Sequence, residues 1–83
     1  MYNIKFEKRV SRDLKKIDKK EIPVILDQIN QLTENPYPSN ASKLKGRDAW
    51  RIRTGNYRII YSVVEHDLLI LVVKIGHRKD VYQ

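Results

Sequence analysis

The sequence predicts an α+β fold: an N-terminal strand, then two antiparallel helices packed on a mainly antiparallel sheet, in the order β-α-α-β-β-β. Three observations predict it. Two consecutive segments repeat apolar residues at three- and four-residue spacing, Trp50 to Tyr61 alternates on both sides of Gly55-Asn56, and Leu68 to Ile75 is strongly apolar. Helical periodicity followed by strand periodicity calls for a helical layer over a sheet, because neither layer buries its apolar face alone.

The chain is 83 residues long, which fits one domain spanning 1–83. Its 41% apolar and 33% charged content suits a compact domain rather than a disordered one. The net charge of +7 favours a polyanionic partner, whether nucleic acid, anionic membrane or acidic protein. With no cysteine, disulfides and thiolate metal sites are excluded and a reducing cytoplasm is compatible. No apolar run approaches the roughly 20 residues that span a bilayer, and the N-terminus lacks a secretory apolar region, so the expectation is a cytoplasmic protein with no membrane partner.

In chain order, Tyr2-Asn3-Ile4-Lys5-Phe6 alternates and reads as a short strand. Lys8 to Asp18 carries Val10, Leu14 and Ile17 at helical spacing, with Lys and Arg filling most other positions. A second helix holds Ile22, Ile25, Leu26, Ile29 and Leu32 on one stripe, with Asp18 and Glu21 resembling a capping box. Pro23 would remove a backbone hydrogen bond if the helix began at Asp18, so the helix starts a residue or two later or has an irregular first turn. Asn35-Pro36 ends it. Pro36 through Gly46 reads as a connecting loop.

Gly55-Asn56 is a two-residue hairpin connection, with Gly accepting the positive φ of a primed turn. The register then sets Thr54 opposite Tyr57, Arg53 opposite Arg58, Ile52 opposite Ile59, Arg51 opposite Ile60 and Trp50 opposite Tyr61. Trp50, Ile52, Tyr57, Ile59 and Tyr61 share a core face, and Arg51, Arg53 and Arg58 share the other. Folding gives no reason to set like charges across from each other, so the cluster points to an external anion. In the last strand, an odd-numbered turn sets Lys74 opposite Arg58 and sends Leu69, Leu71, Val73 and Ile75 to the core. An even-numbered turn would bury the lysine. The odd register also places Arg78 on the cationic face, and Lys43, Lys45 and Arg47 feed into it from the loop.

Arginine suits phosphate because its planar fork donates two parallel hydrogen bonds and stays charged. Tyr82 and His77 flank Arg78, and an aromatic ring beside guanidinium groups can stack on an unpaired base. Such a site either binds RNA or stabilises the extra charge of a phosphodiester transition state, and composition and register favour binding. Two histidines far apart, without clustered carboxylates, give no metal site, and no cofactor is called for. Ser62 has no His–Asp partners and the three glycines form no phosphate-cradling loop.

The order strand, two helices, Lys-Leu-Lys-Gly, Trp-Arg-Ile-Arg-x-Gly-x-Tyr-Arg-Ile-Ile-Tyr, apolar strand and Gly-His-Arg-Lys-Asp-Val-Tyr resembles the RelE family, toxins of the wider RelE/ParE toxin–antitoxin superfamily. The specific part of the resemblance runs from Lys43 to Tyr82. It implies a ribosome-dependent endoribonuclease, an mRNA interferase that cuts message in the ribosomal A site by 2′-hydroxyl attack on the adjacent phosphate. It implies two partners, a cognate antitoxin and the ribosome with its rRNA and mRNA. By this resemblance Arg58 and Arg78 stabilise the phosphate, Tyr82 stacks on and orients a base, and Arg51 and Arg53 complete the catalytic site. Lys43, Lys45, Arg47 and Lys74 are expected to bind the surrounding RNA. Relatives with lysine on the first hairpin strand have a group that can be deprotonated, whereas arginine is a poor base. The base is therefore His77, although the register points it away from the cationic face, or else the site acts by electrostatics and orientation alone. The rivals are a ParE-like inhibitor of DNA gyrase and a non-catalytic RNA-binding module.

Overall fold

Gly55 has φ +60° while Asn56 keeps a negative φ, the pattern of a type II′ turn, in which only the first central residue is left-handed. That turn fixes the hairpin. β3 (Trp50–Thr54) and β4 (Tyr57–Val64) pair as Trp50–Tyr61, Arg51–Ile60, Ile52–Ile59, Arg53–Arg58 and Thr54–Tyr57, the register expected from the sequence. The structure, a computed structural model, describes residues 1–77.

Around this hairpin the described chain adds β1 (Asn3–Phe6), α1 (Lys8–Lys15), α2 (Ile22–Gln31), β2 (Ala41–Lys43), a 3-10 turn over Glu65–Asp67 and β5 (Leu69–His77). The sheet order is β1-β5-β4-β3-β2, antiparallel except for the parallel β1–β5 pair, so the predicted α+β architecture is observed. The strand β2 lies inside the expected loop. Its three residues pair with β3 and satisfy an edge that would otherwise be bare.

Both helices are shorter than their apolar patterns. α1 ends at Lys15, and Ile17 is buried just beyond it. α2 begins at Ile22 with Pro23 in its first turn, where a missing N–H costs little. The expected capping box does not form. Asp18 Oδ1 instead accepts the Lys20 N–H at 3.1 Å, closing a turn between the helices. Leu26 also departs from the expected stripe and is 40% exposed.

The core lies between helices and sheet. Val10, Ile25 and Ile29 meet Ile59, Val72 and Ile75. Beside them, Leu32 packs with Ile52, Tyr61 and Ile70. Tyr61 is fully buried, and its hydroxyl donates to the Pro36 carbonyl at 2.7 Å. Among the described residues, no helix is long and apolar enough to cross a membrane.

The β4–β5 register carries the main correction. Tyr57–His77, Arg58–Gly76, Ile59–Ile75 and Ile60–Lys74 are followed by Tyr61–Val72, so Val73 is an extra residue in a β-bulge. Lys74 therefore faces Ile60, not Arg58. Past the bulge the alternation is displaced by one residue, so Ile70 and Val72 enter the core and Leu69 and Leu71 do not. Val73 packs instead with Leu44, Ala49 and Ile60, a small apolar cluster on the face that carries the arginines.

Candidate nucleic-acid interface

Alternation along the paired strands gives the face opposite the helices two cross-strand rows. One is Arg53–Arg58–Gly76, and the other is Ser42–Arg51–Ile60–Lys74. Arg53 is exposed, whereas Arg51, Arg58 and Lys74 are half-buried. Directly opposed side chains have Cβ atoms about 4.5–5.5 Å apart, so two arginine side chains leave the sheet side by side at Arg53–Arg58. Gly76, opposite Arg58, contributes no side chain to the row.

The other predicted residues are placed unevenly. Lys43 pairs with Trp50, so the alternation puts it on the opposite side of the sheet from Arg51, Arg53 and Arg58. Lys45 and Arg47 sit in the turn before β3, where they line a shallow hollow with Leu44 and Gly46. Gly46 has φ +73°, the geometry that reverses this turn. His77 pairs with Tyr57 and so shares the helix-facing side, where their rings meet edge to face at 5.8 Å. The structure does not bring His77 together with the arginines of the hairpin. Arg78 and Tyr82 lie outside the described residues.

Three features escaped the sequence reading. A cleft of about 430 Å³ opens between α1 and the end of β5, lined among others by Arg9, Asp13, Lys16, Lys74 and His77. The signal for it was Asp13, a lone carboxylate in an otherwise basic helix. Its Oδ2 accepts the Ile75 N–H at 3.1 Å and lies 4.0 Å from Arg9 Nε. Secondly, Glu65 accepts from Tyr2 at 2.6 Å and from Tyr37. Those hydrogen bonds hold the Glu65 carboxyl below its ordinary range, and the bond to Glu65 pushes Tyr37 up to about 12. Thirdly, the Tyr37 ring packs on Trp50 at 4.9 Å, which ties the loop before β2 to the sheet.

Among the described residues no three His, Cys, Asp or Glu side chains gather as metal ligands. What the open face offers is fixed positive charge in a planar, bidentate form. That arrangement can hold a phosphodiester and favour a state in which it carries additional negative charge.

Comparison with known proteins agrees with this reading of the fold. Residues 4–82 match the family model described as the ParE toxin of the type II toxin–antitoxin system parDE. A Methanocaldococcus jannaschii protein that bears the toxin name RelE1 is 33% identical, over 99% of this chain and 96% of its own. In the crystal structure of the archaeal RelE–RelB complex from Pyrococcus horikoshii OT3, one chain superposes with a TM-score of 0.83 at 31% identity, covering 96% of this chain and 98% of that one. The isolated Escherichia coli RelE toxin shares the fold, with a TM-score of 0.81 at 23% identity over 99% of this chain and 92% of its own.

Proposed function

Because the chain belongs to the RelE/ParE family of type II toxin–antitoxin toxins, we propose that it is a ribosome-dependent endoribonuclease, silenced by a cognate antitoxin. The observation that carries this reading is the convergence of Arg51, Arg53 and Arg58 on one sheet face, where folding alone disfavours it. The messenger's own 2′-hydroxyl attacks the adjacent phosphorus. The new O–P bond forms as the bond to the 5′ oxygen breaks, leaving a cyclic phosphate and a 5′-hydroxyl that takes up the proton. Arg58 and Arg53 hold the nonbridging oxygens as charge builds on them, and Arg51 flanks the strand. Arg78 and Tyr82 are assigned to phosphate binding and base stacking through the family resemblance. With His77 on the other side of the sheet, the described residues supply orientation and charge rather than a general base. This fits a toxin that acts only where the ribosome presents the message in the right geometry.

In a translating extract the protein should cut ribosome-bound message within codons and leave protein-free RNA largely intact. Arg58→Gln should lower the cleavage rate by roughly 100- to 1,000-fold, the usual cost of losing one donor to a developing oxyanion. The match to the ParE model favours a second reading, inhibition of DNA gyrase. Uncut message together with inhibited supercoiling would establish that reading in place of the first.

A further inference from the structure

β4 carries two residues that strand character alone does not call for. From Tyr57 to Val64 every position is aromatic or β-branched except Arg58 and Ser62. They stand four residues apart, so the alternation puts both on the arginine face. Arg58 belongs to the proposed phosphate site. Ser62 is opposite Leu71 on one side, and towards β3 its hydroxyl donates to the Asp48 carbonyl at 3.0 Å. Asp48 lies in the turn between β2 and β3, the turn that holds Lys45 and Arg47.

That bond comes from outside the hairpin it fixes. The β2–β3 turn closes on itself through the Leu44 N–H to the Ala49 carbonyl at 2.9 Å and the Arg47 N–H to the Leu44 carbonyl at 3.4 Å. Neither bond sets the angle at which the turn meets the sheet, and β2 is a three-residue edge strand that gives little hold. Ser62 ties the turn to a third strand. Leu44 and Ala49, packed with Ile60 and Val73, seat its base on the same face. Successive rows on this face are two residues apart, about 7 Å. Along β3 they run from Arg53 to Arg51 and then to Ala49, after which comes the turn with its two cations. Lys45 and Arg47 are exposed, and among the described residues neither joins an ion pair.

We propose that Ser62 is a positioning residue for RNA: through the Asp48 carbonyl it fixes the turn so that Lys45 and Arg47 continue the line of Arg53 and Arg51 along the RNA backbone. The inference rests on the proposed action on RNA and adds to it a residue that touches no RNA itself. Without the hydroxyl the turn swings on two strands, and binding must supply the ordering that the bond provides in advance.

The test uses the full chain and 2′-O-methyl RNA, which lacks the attacking hydroxyl and so reports binding whether or not the protein is a nuclease. Ser62→Ala should weaken binding about 2- to 10-fold, the equivalent of one net hydrogen bond. Ser62→Thr, which keeps a hydroxyl on a strand-favouring residue, should bind as the wild type does. The decisive readout is coupling. Ser62→Ala should keep its full effect in an Arg53→Gln background, because Arg53 faces Arg58 and about 13 Å of strand separates Arg58 from Ser62. It should have no effect once Lys45→Gln and Arg47→Gln have removed the cations that it positions. A merely structural bond would lower affinity alike in both backgrounds, and that result overturns the assignment. So does a Ser62→Ala variant that binds RNA as tightly as the wild type, including one that loses antitoxin affinity alone, which gives the turn to the protein partner. A wild-type chain with no affinity for the RNA overturns it as well. Arg58→Gln in the translating extract tests the nuclease reading separately, since cleavage can be absent while the coupling is present, and the reverse.

Discussion

Arg53 shows how a single residue can serve function at the expense of the fold. It stands across from Arg58 on a face that also carries Arg51. Two unit charges about 6 Å apart repel by roughly 0.7 kcal/mol at the dielectric of water, and the exposure of Arg53 lets salt screen much of that. Arg53→Gln keeps most of the stem's packing and removes one charge. Cleavage should fall, while the unfolding free energy in dilute buffer stays level or rises by up to about 0.5 kcal/mol. High salt should erase any gain. Denaturant melts at two salt concentrations measure this, and a variant clearly less stable in dilute buffer would mean that a carboxylate holds Arg53. This pairing was legible in the sequence because a two-residue turn leaves one register, and Gly55 marks the turn. The face of His77 was legible for a similar reason, through the alternation that carries Ile75 into the core. The opposite neighbour of Lys74 was not, because a bulge leaves no local mark on a run as uniformly apolar as Leu69 to Val73.

At the scale of elements, the helices and hairpin announced themselves by period, whereas the pieces that depend on a neighbour did not. β2 exists because β3 offers it an edge, and Ala41-Ser42-Lys43 has little strand character of its own. The Glu65 turn is a second case. It gathers Tyr2 from before β1 and Tyr37 from the loop after α2, contacts separated by 63 and 28 residues in sequence. Glu65 has a depressed folded pKa, first through its bond to Tyr2 and then through Tyr37. Its contribution to stability is therefore present above its unfolded value of about 4.5 and disappears as pH falls through the lower folded value. Tyr37 has the opposite sign: raised from 10.0 to about 12, it contributes below the lower figure and ceases to as pH rises through the upper. Glu65→Gln should lower the unfolding midpoint at neutral pH, and the gap from the wild type should close as pH drops below about 4.5. Thermal melts across that range check this. A gap independent of pH would show that the side chain matters for turn geometry rather than for charge.

The whole molecule carries a net charge of +7, with cations on both sides of the sheet. Self-repulsion of this kind destabilises a folded chain, whereas a polyanionic partner turns the same charges into affinity. Salt should therefore act on folding and on binding with opposite signs. Raising ionic strength from about 20 to about 300 mM shortens the screening length from over 20 Å to under 6 Å, within the span of the molecule. The unfolding midpoint of the isolated chain should then rise by about 2–4 °C, the equivalent of roughly 0.5 kcal/mol for a domain of this size. Over the same range its association with RNA should weaken steeply, by an amount that counts the phosphates engaged. Calorimetry and binding titrations in matched buffers measure the two trends. A midpoint that falls with salt would mean that internal ion pairs outweigh the repulsion, so that the basic surface belongs to the fold. A rising midpoint with falling affinity would instead identify the excess charge as one that only a partner completes.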